Sequence, residues 1–163
     1  MSELAVIDKS LISEDGHQYL TFAAVNQTMA IAILDVEEII EVAEMTRVPM
    51  TSNNVRGVIN LRGNVVPVID LGARLGGKQS SLSKRSCIVL VDVHVDGEKH
   101  GMGMLVDAVN EILEIRDDAI QKTPDFGTDI RPDFIDRMGR VGEEFIILLK
   151  IDRVLDIEEL SEV

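Results

Sequence analysis

Short runs of aliphatic and β-branched residues, separated by residues that favour turns, extend along most of the chain and are typical of β-strands. In chain order, the predicted strands are residues 19–25, 29–34, 55–61, 65–71, 86–95, 102–106, 109–115 and 145–151. Helical patterns are confined to short pieces, namely a turn at 36–39 after Asp35, a segment from Asp70 to Gly76-Gly77, residues 134–137 and a tail from Asp152. The pattern therefore predicts a predominantly β-sheet protein.

The centre of the sequence, residues 55–71, is predicted to form a β-hairpin. Two apolar runs flank Arg62-Gly63-Asn64, and Gly63 is expected to take the positive φ angle that a tight turn requires. Pro67 has no amide hydrogen, which restricts its strand to a sheet edge or a bulge. Arg62 would then stand at the tip of an otherwise apolar hairpin, either as an ordinary turn residue or as part of a binding surface.

The two parts of the chain resemble each other weakly. In residues 34–42 and again in 106–115, an acidic residue follows an apolar run and a strand-like segment comes next. The separation of about 75 residues is too long for a solenoid unit, so a duplication into two small β-barrels fits better. We expect a flexible leader at 1–16, a domain at 17–156 and an acidic tail at 157–163, with the serine-rich residues 79–84 as an internal linker.

Composition and charge exclude several classes of function. The net charge of −13, from 29 acidic and 16 basic residues, disfavours binding to the phosphates of nucleic acids. The longest apolar stretches, such as residues 145–149, are far too short to cross a bilayer, so we expect no direct membrane insertion. The single cysteine, Cys87, rules out an internal disulfide and suits a reducing compartment. These features favour a cytoplasmic protein.

The sequence contains no recognisable catalytic or metal-binding pattern. His17, His94 and His100 are the only histidines, and none has a cysteine or histidine partner at ligand spacing. Motifs of phosphate loops, dinucleotide-binding folds, serine hydrolases and zinc proteases are absent. Adjacent carboxylates such as Asp117-Asp118 would face opposite sides of a strand, or water in a turn. We therefore expect no catalytic residues, no metal and no cofactor.

The run VRGVINLRGNVVPVIDL, residues 55–71, resembles the signature of the CheW family of chemotaxis coupling proteins. Residues 17–22, 33–39 and 104–109 resemble other stretches of that family, so the resemblance extends over roughly residues 18–156. It implies an all-β fold of two five-stranded SH3-like β-barrels packed side by side, with a few short helices. Approximate halves would lie at 18–75 and 80–155, and a strand could cross between the barrels.

The resemblance also assigns functional residues by their positions in the family pattern. Those similar to the receptor-facing set are Ile33, Val36, Glu38, Asn60, Arg62, Cys87 and Ile88, and Gly57 is similar to a position tied to kinase coupling. Glu38 would lie on the short helix after the second strand. Arg62 would either offer donors to a receptor or hold Glu38 in place beside it.

The function that the resemblance implies is that of a non-catalytic adaptor without cofactors. It would couple a sensory histidine kinase, through the kinase's regulatory domain, to the cytoplasmic tips of methyl-accepting chemoreceptors. It would be cytoplasmic and associate with membrane receptor arrays through its partners. The sequence leaves open whether the coupling serves flagellar chemotaxis, surface motility or another receptor–kinase pathway. A small-ligand or enzyme function would need a pocket with convergent polar groups, and none is visible.

Overall fold

The computed structural model of the chain describes residues 3–6, 17–49, 52–122 and 130–160, with the side chains of all of these except 3–6 and 157–158. One sheet has the strand order β1-β4-β7-β8-β6-β5 and the other β10-β11-β12-β3-β2-β9. The strands of the first sheet are β1 (Glu3–Val6), β4 (Val36–Glu41), β5 (Val55–Leu61), β6 (Asn64–Asp70), β7 (Cys87–Val95) and β8 (Glu98–Val106). Those of the second are β2 (His17–Ala24), β3 (Gln27–Ala32), β9 (Ala108–Ile115), β10 (Ile120–Gln121), β11 (Ile135–Val141) and β12 (Glu144–Leu149).

The helices in the described residues are short and connect or follow the strands. The α-helices are α1 (Leu71–Gly76), α2 (Ile151–Val154) and α3 (Ile157–Leu160), and single 3₁₀ turns lie at Ile33–Asp35, Asp117–Ala119 and Pro132–Phe134. Asp70 caps α1 by accepting a hydrogen bond from the Ala73 amide, and the helix ends at Gly77 with φ of 80°. The helix predicted to begin at Asp70 is thus confirmed.

The two sheets repeat one five-stranded topology, each with one additional short edge strand. The order β4-β7-β8-β6-β5 in the first corresponds to β9-β2-β3-β12-β11 in the second. In both units the second strand of a hairpin, β6 or β12, pairs in parallel with β8 or β3 and is followed by a short helix. The predicted fold of two SH3-like barrels is confirmed. The weak internal repeat of the sequence follows from it, because the equivalent strands β4 and β9 occupy the two similar segments.

The barrels are nested along the chain. All five strands of the first unit lie within residues 36–106, whereas the second unit takes β2 and β3 from before this segment and β9 to β12 from after it. A boundary between residues 75 and 80 would therefore separate the hairpin β5–β6 from β7 and β8, which belong to the same sheet. The repeated unit is therefore a five-stranded sheet, and its strands do not come from one continuous half of the sequence.

The largest hydrophobic cluster lies between the two barrels. It joins Phe22 and Met29 of the second sheet to Val89 and Met104 of the first, all of them fully buried. Each barrel also has a smaller interior cluster, around Ile88 in the first and around Ile115, Ile146 and Leu148 in the second. Strand β7 contributes to two clusters because successive side chains point to opposite faces of a sheet. The shared core holds the barrels together as one folding unit.

Three local predictions are corrected by the structure. Residues 36–39 were expected to be helical, but the single helical turn is at Ile33–Asp35 and Val36 begins β4, so Glu38 lies on a strand. Pairing with β7 and burial of β-branched side chains outweigh the weak local signal there. Residues 134–137 lie at the end of a 3₁₀ turn and the start of β11, a strand missed because it is largely polar. Glu3–Val6, in the expected leader, pairs with β4, and the rest of the leader lies outside the described residues.

Candidate functional site

The turn between β5 and β6 confirms the predicted hairpin and the positive φ angle predicted for Gly63. Leu61 pairs with Asn64, so Arg62 and Gly63 alone form the connection, with φ angles of 53° and 86°. A two-residue turn with both angles positive matches the twist of the flanking strands. The side-chain oxygen of Asn60 accepts a hydrogen bond of 3.0 Å from the Gly63 amide. Asn60 thus stabilises the turn from which Arg62 projects.

Pro67 is accommodated within the same hairpin. It pairs with Val58 of β5, whereas the pairing of β6 with β8 begins only at Val68. At Pro67 the strand therefore has a neighbour on one side only, and a missing amide hydrogen breaks no ladder on the other side. The prediction that Pro67 restricts its strand to an edge or a bulge is therefore wrong for β6 as a whole, which is an interior strand, and Pro67 is tolerated because the pairing with β8 begins after it.

Arg62 and Glu38 form a bidentate ion pair. The Nη1 and Nη2 atoms of Arg62 lie 2.7 and 2.9 Å from Oε1 and Oε2 of Glu38. The Glu38 residue is 7% exposed, whereas the Arg62 side chain is 58% exposed. Since β4 and β5 are the outer strands of the five-stranded unit, the pair connects the two ends of the sheet as it curves into a barrel. A lysine could not reproduce this planar, two-pronged contact.

Besides Glu38, four residues assigned to the receptor-facing set have buried side chains. Ile33, Val36 and Cys87 belong to the cluster between the barrels, and Ile88 lies in the interior of the first barrel. Burial raises the pKa of the Cys87 thiol, whose Sγ lies 3.3 Å from the Arg85 carbonyl oxygen and donates to it. Any role of these four in binding would be indirect, through the positions of β4, β7 and the 3₁₀ turn before β4, and that role stays a prediction.

Gly57 is buried, and the surrounding chain leaves no room for a side chain. Its φ is 155°, and a Cβ atom built there would lie 2.7 Å from the Thr46 carbonyl oxygen. Thr46 is held at this distance by two backbone hydrogen bonds with Val58, of 2.9 and 2.8 Å. The segment after β4 thereby pairs with β5 and helps close the barrel. The predicted role of Gly57 in kinase coupling is not tested by this geometry.

Asp70 is the centre of a buried polar network that the sequence did not reveal. Its side chain is fully buried and accepts hydrogen bonds from Arg56 Nη1 at 2.9 Å, the Ser80 amide and hydroxyl at 2.8 Å each, and the Ala73 amide at 3.1 Å. Arg56 also donates to the Ser80 carbonyl oxygen. A buried carboxylate needs such partners. The network ties the start of β5 and the segment after α1 to the end of β6.

A second cluster joins α1 to the C-terminal helices. The Arg74 side chain is 5% exposed and donates to Oε1 of Glu159 at 2.9 Å and to the Val154 carbonyl oxygen at 2.7 Å. Arg131 also donates to Glu159, and the two guanidinium groups lie 4.6 and 4.3 Å from the centre of the Phe134 ring. Both distances are in the range of favourable cation–π interactions. They position α3 against the rest of the molecule.

An open groove of about 530 Å³ lies on the first barrel beside Gly57. Val55 and Val58 line it, and Val65, which is 70% exposed, stands at its edge. The other lining residues are Val48, Pro67, Ile69, Lys99, His100, Gly101, Met102 and Leu160. The walls are mostly apolar, which suits contact with another protein surface.

The parts of the chain that the structure describes contain no group of three histidine, cysteine, aspartate or glutamate side chains placed to hold a metal ion. His17 pairs with Asp117 and His100 with Glu98 at the surface. Among the described residues, no helix is both long and apolar enough to span a membrane.

The chain is similar to known proteins over most of its length. The family model described as CheW-like domain matches residues 18–159. The chemotaxis protein CheW of Klebsiella aerogenes is 29% identical over 161 residues, which cover 99% of this chain and 95% of that protein. The chemotaxis protein CheW of Rhizobium meliloti is 34% identical over 148 residues, covering 91% and 93%. The crystal structure of scaffolding protein TtCheW from Thermoanaerobacter tengcongensis superimposes with a TM-score of 0.78 at 28% identity, covering 90% of this chain and 92% of that one.

Proposed function

The chain belongs to the CheW-like domain family, and on this basis we propose that it is a chemotaxis adaptor that couples a sensory histidine kinase to the cytoplasmic tips of chemoreceptors. The match of the family model over residues 18–159 carries the proposal. The relatives from Klebsiella and Rhizobium are named chemotaxis proteins, and the similar solved structure is named a scaffolding protein. These names favour chemotaxis over surface motility or another receptor–kinase pathway.

The turn that carries Arg62 is the proposed contact with the receptor tip. Arg62 and Asn60 are exposed there, and Arg62 stays accessible although it is bonded to Glu38. The ion pair and the tight turn restrict the guanidinium before a partner arrives, which lowers the entropy lost on binding. Four buried apolar members of the predicted set would support this surface from inside the protein: Ile33, Val36 and Cys87 from the cluster between the barrels, and Ile88 from the interior of the first barrel.

The groove beside Gly57 is the proposed contact with the regulatory domain of the kinase. Its exposed Val65 and the flanking Val55 and Val58 offer apolar surface whose burial would drive association. Because Gly57 is itself buried, a substitution there would act on kinase binding through the shape of β5. The proposed adaptor is non-catalytic, has no cofactor, and is located in the cytoplasm at receptor arrays.

Reconstitution with purified partners tests this function. Receptor-containing membranes, the kinase and the protein are combined, and two quantities are measured: the amount of kinase that sediments with the membranes, and its autophosphorylation rate. We expect both to rise when the protein is added, and the protein alone to hydrolyse no ATP. Kinase that sediments and reacts equally with and without the protein would contradict the proposal.

A further inference from the structure

The short helix α3 contributes to the groove beside Gly57. Leu160, the last residue of α3, lines this groove together with Val55 and Val58 of β5. The other described lining residues all lie within residues 48–102, whereas α3 follows β12 of the second barrel and α2 along the chain. The groove is therefore complete only when α3 is in place against the first barrel.

Leu160 connects the groove to the core between the barrels. It is 5% exposed and belongs to the hydrophobic cluster that joins the two sheets. Ile69 and Met102, which also line the groove, are members of the same cluster. Part of the groove wall is thus the outer margin of the shared core. Because protein interiors are closely packed, a shift of Leu160 would change the shape of the groove.

Arg74 fixes the position of α3 relative to β6, the strand that carries several of the lining residues. It lies on α1, which directly follows β6, and its side chain is 5% exposed. Its Nη1 donates to Oε1 of Glu159 at 2.9 Å. Its Nε and Nη2 donate to the carbonyl oxygens of Val154 and Arg153 at 2.7 and 3.2 Å. A nearly buried guanidinium that bonds to both C-terminal helices restrains α3 beside the groove.

Two further contacts hold α3. Arg131 donates to the carboxylate of Glu159, and it also bonds to Asp133. The Ser52 hydroxyl donates to the Leu160 carbonyl oxygen in a long hydrogen bond of 3.5 Å, which ties α3 to the segment before β5. The carboxylate of Glu159 is the point where two guanidinium groups meet α3. Replacing it with a cation would repel both groups and move α3 away from them.

We propose that α3 is one wall of the kinase-binding groove, and that Glu159 and Arg74 are positioning residues that determine the affinity for the kinase by holding Leu160 in that wall. The inference rests on the proposed function and adds residues that the family resemblance did not assign. A preformed groove loses less conformational entropy on binding than one whose wall must first be ordered. The turn of Arg62 is held by Asn60 and Glu38, so we expect receptor binding to persist when α3 is displaced.

The variant Glu159→Lys of the full chain tests the proposal, with Asp133→Lys as its matched control. Both carboxylates bond to Arg131, and their side chains are 33% and 42% exposed. Both variants introduce a lysine into the same cluster and change the net charge equally, but Glu159 lies on α3 and Asp133 does not. Circular dichroism and the melting temperature identify a temperature at which both variants are folded.

Affinity for the purified kinase is measured by calorimetry at that temperature, and affinity for receptor-containing vesicles by sedimentation. We expect Glu159→Lys to bind the kinase at least about fivefold more weakly than wild type and the receptor within about twofold. Asp133→Lys should stay within about twofold of wild type for both partners. Wild-type kinase affinity of folded Glu159→Lys would limit Glu159 to a role in stability and overturn the proposal. Equal losses in both variants would assign the effect to charge and overturn it as well.

A second pair of variants tests the groove wall without a change of charge. Leu160→Ala removes most of the side chain, whereas Leu160→Met nearly conserves its volume. We expect kinase affinity to fall at least about fivefold for Leu160→Ala and to stay within about twofold of wild type for Leu160→Met. Wild-type kinase affinity of folded Leu160→Ala would overturn the inference.

Val65→Asp separates a failure of this inference from a failure of the proposed function. Val65 lines the groove from β6 and is 70% exposed, so its substitution should alter the groove surface with little effect on the fold. Weakened kinase binding by Val65→Asp, with wild-type binding by the Glu159 and Leu160 variants, would overturn this inference alone. Unchanged binding by Val65→Asp would contradict the assignment of the groove to the kinase, and this inference with it. A wild type that binds no kinase would contradict the proposed function itself.

Discussion

The guanidinium of Arg62 holds both carboxylate oxygens of Glu38, and in doing so it joins the turn after β5 to β4 at the opposite end of the same five-stranded sheet. The carboxylate is nearly buried while the guanidinium is half exposed. Arg62 therefore stabilises the fold through its bond to Glu38 and also presents part of its side chain at the surface. A substitution at this position acts on both, and the experiment must separate the two effects.

Arg62→Glu is expected to weaken receptor binding by about 2–4 kcal/mol, or at least about tenfold in affinity, because a charge-assisted contact is replaced by repulsion. Affinities for receptor and kinase are measured separately on folded protein, and kinase binding should change less. The double variant Arg62→Glu with Glu38→Arg restores an internal pair and should recover melting temperature without recovering receptor affinity. Wild-type receptor binding by the single variant would show that Arg62 is an ordinary turn residue.

The local part of this site could be predicted from the residue pattern, whereas the long-range contact of Arg62 with Glu38 was raised only through the resemblance to the CheW family, as one of two alternatives. The residues around Arg62-Gly63 are enough to predict the hairpin and the positive φ angle of Gly63, since turn geometry depends on neighbouring residues, whereas the positive φ of Arg62 was not predicted. Glu38 was placed on a helix, because the strand β4 is stabilised by pairing with β7, some fifty residues later. A bidentate pair between positions 24 residues apart depends on how the barrel closes.

Gly57→Ala is expected to destabilise the protein by about 1–3 kcal/mol, because the new methyl group would lie against the Thr46 carbonyl oxygen. Urea unfolding followed by circular dichroism measures the change. Gly101→Ala is the matched control, since Gly101 is an exposed strand glycine with open space around its Cβ position. If Gly57→Ala and Gly101→Ala are equally stable, the chain near Thr46 moves to make room for the new methyl group. Gly57→Asp should weaken kinase binding through the same distortion of β5.

Asp70→Asn is expected to lower the free energy of unfolding by about 2–3 kcal/mol, because it leaves Arg56 without its anionic partner in a partly buried position. The loss is smaller than for a fully enclosed pair, since 22% of the Arg56 side chain remains exposed. Asp92→Asn serves as the control, because its partner Lys99 is 60% exposed and such pairs contribute at most about 1 kcal/mol. Equal losses of unfolding free energy for Asp70→Asn and Asp92→Asn, measured by urea unfolding, would contradict a stabilising role of the network around Asp70.

The hydrogen bonds of Asp70 also divide into a local one that the sequence could predict and long-range ones that it could not. The role of its carboxylate as a helix cap was predicted, since the amide that it caps is three residues away. Its bonds to Arg56 and Ser80 reach 14 and 10 residues along the chain. The first depends on the pairing of β5 with β6, and the second on the path of the segment after α1. That segment was predicted to be a linker because it is polar and rich in serine. One of these serines, Ser80, instead anchors the segment to the buried carboxylate of Asp70.

Glu159→Gln is expected to lower the melting temperature by about 2–4 °C at pH 7, the effect of losing about 1 kcal/mol of ion pairing in a chain of this size. Hydrogen bonds from Arg131 and Arg74 lower the pKa of Glu159 in the folded protein. Its contribution is therefore complete above the ordinary glutamate pKa of about 4.3 and is lost as the pH falls through the lower folded value. The difference between wild type and variant should therefore shrink as the pH falls below the ordinary glutamate pKa of about 4.3. The control is Glu144→Gln, at an exposed position without a described ion pair, which should show no such pH-dependent difference. If the melting-temperature difference between wild type and Glu159→Gln stays constant with pH, the carboxylate of Glu159 does not anchor α3.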